Sequence, residues 1–198
     1  MTEPDGRWNE IVRRASGDFH RHAAVMGVET STLQRFGGVV DGDAVRFPAH
    51  SDGVIGGFYS VNLSGAYRVD GRGIAMTATP RKTGVMVAAG ILDAASLADL
   101  GFSVIAVPGD GRCLREAVDE LASRRSREVV TWWSGDLCRM LLRSPPPSLD
   151  RCTQCFQPSE WASVHEWVME GKPGREGVIA RVEQIREAWA SRGGRLSV

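Results

Sequence analysis

Two short apolar runs, "GVMVAAG" at 84–90 and "FSVIAVPG" at 102–109, constrain this chain more than any other feature. Neither alternates between apolar and polar residues, so each reads as a strand covered on both faces, as inside a parallel sheet. Between them Leu92, Ala95 and Leu97 to Leu100 recur at helical spacing. The expectation is two parallel strands joined by a right-handed helical crossover, with Gly90 and Asp93 in the turn that opens the helix. Downstream, "CLREAVDELASRR" sets Leu114, Ala117, Val118 and Leu121 on one stripe, and "EVVTWW" supplies a further strand. The order is βαβαβ.

The flanks read differently. Trp8, Ile11, Val12 and Ala15 recur at helical spacing, residues 19–26 form a second helix, and Thr30 or Ser31 offers an N-cap to a third, closed by Gly37 and Gly38. From Val39 the chain alternates short apolar runs with Asp-Gly, Ser-Gly and Gly-Gly pairs, the signature of an antiparallel meander. Its expected strands are 44–47, 54–61 and 66–69. After Arg143 three consecutive prolines, Pro145 to Pro147, read as a stiff linker. Two helices, 159–170 and 177–190, follow. The expected organisation is therefore a helical and β-rich unit over 1–82, a βαβαβ core over 83–144 and a helical hairpin over 145–198.

The 198 residues are 42% hydrophobic, enough for a buried core. With 24 basic and 24 acidic residues there is no global field to recruit nucleic acid, so any such partner must be met by a local patch. The first residues lack a basic and apolar leader, and no apolar run reaches about 18 residues, so the expectation is a cytoplasmic protein without a membrane partner. Four cysteines, Cys113, Cys138, Cys152 and Cys155, read there as thiols or metal ligands rather than disulfides.

The run from "MGVETSTLQRFGG" through "VRFPAHSDGVIGGFYS" to "GVMVAAGILDAASLADLGFSVIAVPGDG" resembles the TOPRIM-containing, primase-like proteins of phages, plasmids and mobile elements. The likeness covers roughly residues 26–140 and rests on the order of motifs. It implies an α/β fold with a TOPRIM-like parallel sheet core, in which a glutamate and a D-x-D pair at strand ends hold magnesium for phosphoryl transfer. Gly90, Asp93 and Ala94 match the "G-x-x-D-A" part of the family's acidic turn. Ala89 stands where the glutamate is expected, and Ser134 and Asp136 fall on the two aspartates. The resemblance thus implies Asp93 and Asp136 as the catalytic and magnesium-binding carboxylates, with activity weakened or lost. The bare alternative is a turn shaped by backbone geometry, its carboxylate favoured near a helix N-terminus.

A single-stranded DNA or RNA template would be met by Tyr67, Arg68, Arg72, Arg81 and Lys82, through ring stacking and phosphate contacts; a solvated polar edge is the competing reading. Cys152 and Cys155 make half of a zinc site, with His165 or Cys138 as further candidate ligands, against paired or free thiols. Trp161, Trp167 and Trp189 give the tail an aromatic face that could dock a replication protein or a second copy. Two functions compete with the primase-like reading: a non-enzymatic adaptor working through that face, and a small metal-dependent nuclease taking an acid such as Asp110.

Overall fold

The structure, a computed structural model, describes residues 4–77, 85–110, 112–114, 116, 117, 120, 129–132, 153–156 and 160–191. Three helices open the chain, α1 (Pro4–Arg14), α2 (His20–Met26) and α3 (Thr30–Arg35). Trp8 and Ile11 of α1 are buried against Phe58, whereas Val12 turns outward. Gly27 ends α2 in the left-handed conformation, as a helix-closing glycine does.

An antiparallel sheet follows in the order β1 (Val39–Asp41), β2 (Ala44–Ser51), β3 (Val54–Asn62) and β4 (Tyr67–Gly71). Asp52 and Gly53 both take positive φ between β2 and β3, the geometry for which an Asp-Gly hairpin is suited. The strands run longer than their apolar runs, and β2 continues through Pro48 to Ser51 across a register shift at Ala49/His50. β1 was not expected; its three residues carry too little pattern to be read without a pairing partner.

The second sheet is mixed. Its order is β5-β7-β6-β8-β9, with β5 (Ala75–Met76), β6 (Val85–Ala89), β7 (Ser103–Val107), β8 (Val129–Trp132) and β9 (Thr153–Phe156). β6 pairs in parallel with both β7 and β8, and β9 is parallel to β8. β5 runs antiparallel to β7. The two apolar runs are therefore buried strands as expected, but the sheet is not wholly parallel: a two-residue strand ahead of the core closes one edge. β9 carries the second cysteine of the CxxC segment, and its backbone pairs Cys155 with Thr131. The fold is mixed α/β with one antiparallel and one mixed sheet.

The two sheets are joined where His50 and Ile74 exchange backbone hydrogen bonds of 2.8 and 2.9 Å. Buried Tyr59 reinforces the joint, its hydroxyl donating between the carbonyls of Gly73 (3.1 Å) and Ala106 (3.2 Å).

Between β6 and β7 lies α4 (Ile91–Asp99), where Ile91, Ala94, Ala95, Leu97 and Ala98 are fully buried. A helix apolar nearly all round must be covered on all sides, and its alanines let neighbours approach closely. α3 and α4 cap one another. Asp99 accepts from the amide of Glu29 (2.8 Å) and the hydroxyl of Thr32 (2.7 Å) at the start of α3, while Arg35 donates to the carbonyls of Ala98 (2.6 Å) and Phe102 (3.2 Å). The expected cap at Thr30 or Ser31 is thus replaced by a carboxylate from another helix.

The tail is tied to the same helix. The expected helix over 159–170 is shorter, α5 (Val164–Glu166), and passes into a π-helical turn over Trp167–Gly171 before α6 (Gly174–Ser191). Ser163 accepts from the Glu166 amide (3.0 Å) and Glu166 reaches back to the Ala162 amide (2.6 Å), a reciprocal cap of the Ser-x-x-Glu kind that fixes the later start. Arg175 donates to the Leu100 carbonyl (2.9 Å) and lies 4.3 Å from the centre of the Phe102 ring. One apolar cluster accordingly draws Leu33, Phe47 and Tyr59, then Met86, Ala94 and Leu97, then Val164, Val178 and Val182.

Candidate functional site at the end of the central strand

The C-terminal end of β6 is where the chain turns through Gly90 into α4, with β7 on one side and β8 on the other. In α/β sheets ligands are commonly bound beside the carboxyl ends of such strands. Gly90 has φ 94° and ψ 166°, a region that residues with a Cβ scarcely populate. Its amide donates to the Val107 carbonyl at 2.7 Å, locking the turn against β7.

Asp93 lies in the first turn of α4, as expected, but it does not face open solvent. It is 9% exposed, and its Oδ1 accepts from the His165 amide at 2.8 Å. The Val164 amide is a second donor, so the carboxylate caps the start of α5. Burial dominates over these hydrogen bonds, and its pKa is pushed up from 3.8 to about 6. One turn on, Ser96 Oγ sits 2.7 Å from His165 Nδ1 while donating to the Leu92 carbonyl at 3.1 Å. Burial depresses the His165 pKa. Asp93 and Ser96 together clasp the tail onto α4. Although Ser, His and Asp meet here, Asp93 holds the His165 backbone rather than its ring, so the group is no nucleophile–base relay.

Tyr67 from β4 reaches this strand end. Its hydroxyl and ring lie over Gly90, 3.5 Å from where a Cβ would stand, and its ring stacks on Tyr59 with centroids 6.2 Å apart. The ring is 38% exposed, and burial of the remainder raises the phenol pKa. Beside it, the turn after β7 places Asp110 and Arg112 in an exposed ion pair of 3.2 Å, with the Arg112 amide donating to Asp110 at 3.1 Å. The strand end therefore gathers Gly90, Asp93, Tyr67, Asp110 and Arg112, drawn from three separated segments.

The other expected residues are distributed unevenly. Arg68 is paired with Asp70 at 2.8 Å on the same strand, and Arg72 is paired with Glu116. Both guanidinium groups are mostly solvent-exposed beyond those pairs. Arg81, Lys82, Ser134, Asp136, Cys138 and Cys152 lie outside the described residues, and of Cys155 only the backbone is described. His22 is 4% exposed with neither ring nitrogen partnered. Trp167 and Val168 pack against the main apolar cluster, and the side chain of Trp189 lies outside the described residues.

Among the described residues no three His, Cys, Asp or Glu side chains stand close enough to hold a metal ion. Magnesium prefers several oxygen ligands in an octahedron. Ala89 offers none, Asp93 has one oxygen committed to the tail, and Asp136 lies outside the described residues. No helix among the described residues is long and apolar enough to cross a membrane. No protein-family model and no curated protein matches the chain.

Proposed function

We propose that this chain is a primase-like, TOPRIM-related nucleic-acid-associated protein of a phage, plasmid or mobile element, in which the acidic turn has become a structural joint and phosphoryl transfer is weak or lost. The observation that carries the reading is the turn itself. A Gly-x-x-Asp turn ends the central strand of a largely parallel sheet, where the resemblance expects a magnesium site, yet Asp93 is buried beneath the tail with its Oδ1 on the His165 amide. With Ala89 in place of the glutamate, little remains to activate a phosphate. The adjoining Tyr67 ring and the partly exposed guanidinium groups of Arg68 and Arg112 are suited to base stacking and phosphate contact.

The test is fluorescence anisotropy with a labelled single-stranded oligonucleotide. The proposal expects binding that weakens with salt, is the same in EDTA as in magnesium, and falls by about 1 kcal/mol or more in Tyr67→Ala. Absence of binding at low salt contradicts it. So does template-directed nucleotide incorporation dependent on magnesium, which would restore the catalytic reading.

A further inference from the structure

The antiparallel sheet ends at β4, and among the described residues no other strand pairs with the far edge of Tyr67–Gly71. The ladder to β3 decides which backbone groups that edge offers. The Asn62 amide donates to the Ala66 carbonyl at one end of the ladder and the Arg72 amide to the Gly56 carbonyl at the other. In this register Arg68 and Asp70 direct their backbone toward β3, whereas the N–H and C=O of Tyr67 and Val69 point away from it. Tyr67, Arg68 and Gly71 are exposed, and Val69 and Asp70 are half-buried. Unpaired backbone groups of this kind are a template for a further strand.

The side chains say which strand fits. Charged residues on an edge ordinarily discourage pairing, but these two, Arg68 and Asp70, are of opposite sign with Val69 midway between them. Turned end for end, the segment Tyr-Arg-Val-Asp-Gly complements itself. With Val69 opposite the partner's Val69, each Arg68 faces the partner's Asp70, and each Tyr67 faces the partner's Gly71, which has no side chain to crowd the ring. Arg68 is paired with Asp70 of its own strand at 2.8 Å, yet its side chain remains 76% exposed and its guanidinium has further donors to offer. A two-fold pairing also closes on itself instead of growing into a fibre. We propose that the outer edge of β4 docks a second copy of this chain, the two strands pairing antiparallel about Val69 so that the two four-stranded sheets become one. The pairing is independent of the nucleic-acid reading.

Opposite charges directly across a ladder stabilise it and like charges destabilise it, which supplies the test. Sedimentation velocity of the full chain without nucleic acid, at about 1–100 µM, compares wild type with Arg68→Asp, Asp70→Arg and an equimolar mixture of the two; circular dichroism checks that each is folded. Wild type is expected to dimerise as concentration rises. Arg68→Asp sets acids against acids and Asp70→Arg sets bases against bases, so each alone should dimerise at least about tenfold more weakly. In the mixture every acid again faces a base, and a heterodimer should return. Val69→Pro removes an outward N–H that β3 does not use, a change that edge strands tolerate, and should weaken the dimer as well. A wild type that stays monomeric throughout, folded variants that dimerise as wild type does, or a mixture of folded charge variants that stays monomeric overturns the proposal.

Discussion

At the scale of single residues, Asp93 carries most of the meaning. Its folded-state pKa lies above the ordinary 3.8, at about 6, so the folded protein holds this proton more tightly than the unfolded chain. The stability it confers is full below about pH 4 and is lost as pH rises through about 6. The shift corresponds to about 3 kcal/mol. Buried His22 and half-buried His165, whose pKa values are depressed, act in the opposite sense and lose stability as pH falls below 6.5. Asp93→Asn isolates the carboxylate because it keeps an acceptor for the His165 amide. Urea unfolding at intervals from pH 4 to 7 should show the variant gaining on wild type by up to about 3 kcal/mol as pH rises; parallel curves contradict the assignment. Gly90→Ala should cost about 1–3 kcal/mol, because φ 94° is at fault rather than the 3.5 Å contact with Tyr67. A midpoint shift in the same titration reads it directly.

Among elements, α4 is the one on which the others depend. Asp99 and Arg35 cap α3 and α4 reciprocally, so Asp99→Ala should cost about 1 kcal/mol, and the double variant with Arg35→Ala should cost less than the sum of the two. A double-mutant cycle by urea unfolding measures this, and strict additivity would show the two caps to be independent. The helix and its two buried strands were legible in the sequence because continuous apolar runs admit few alternatives. Its partners were not. Asp99 and Arg35 are separated by 64 positions, and nothing local says that one helix end serves another. The tail departs from a helix over 159–170 for a different reason: helical spacing of Trp161, Val164 and Val168 favours the earlier start, whereas the Ser163–Glu166 cap, readable as Ser-x-x-Glu, starts the helix later. The short strands β1 and β5 lie below what periodicity can register.

For the whole molecule, three stretches of sequence that differ in composition share one apolar cluster about α4. Truncation after residue 158 should therefore expose Val87-side strands little but uncover α4, lowering the unfolding midpoint and freeing Asp93 for solvent; the apparent carboxyl pKa should then fall back toward 3.8, as NMR titration of that residue would record. The turn that ends β6 was legible as an acidic turn, while its burial by His165 was not, because that contact joins residues 72 apart. The account stands on whether Asp93 is a joint or a metal ligand. Calorimetric titration of magnesium into wild type and Asp93→Asn at pH 7 decides between them. The joint predicts no saturable heat that the substitution removes, whereas a saturable wild-type isotherm abolished in Asp93→Asn would contradict it.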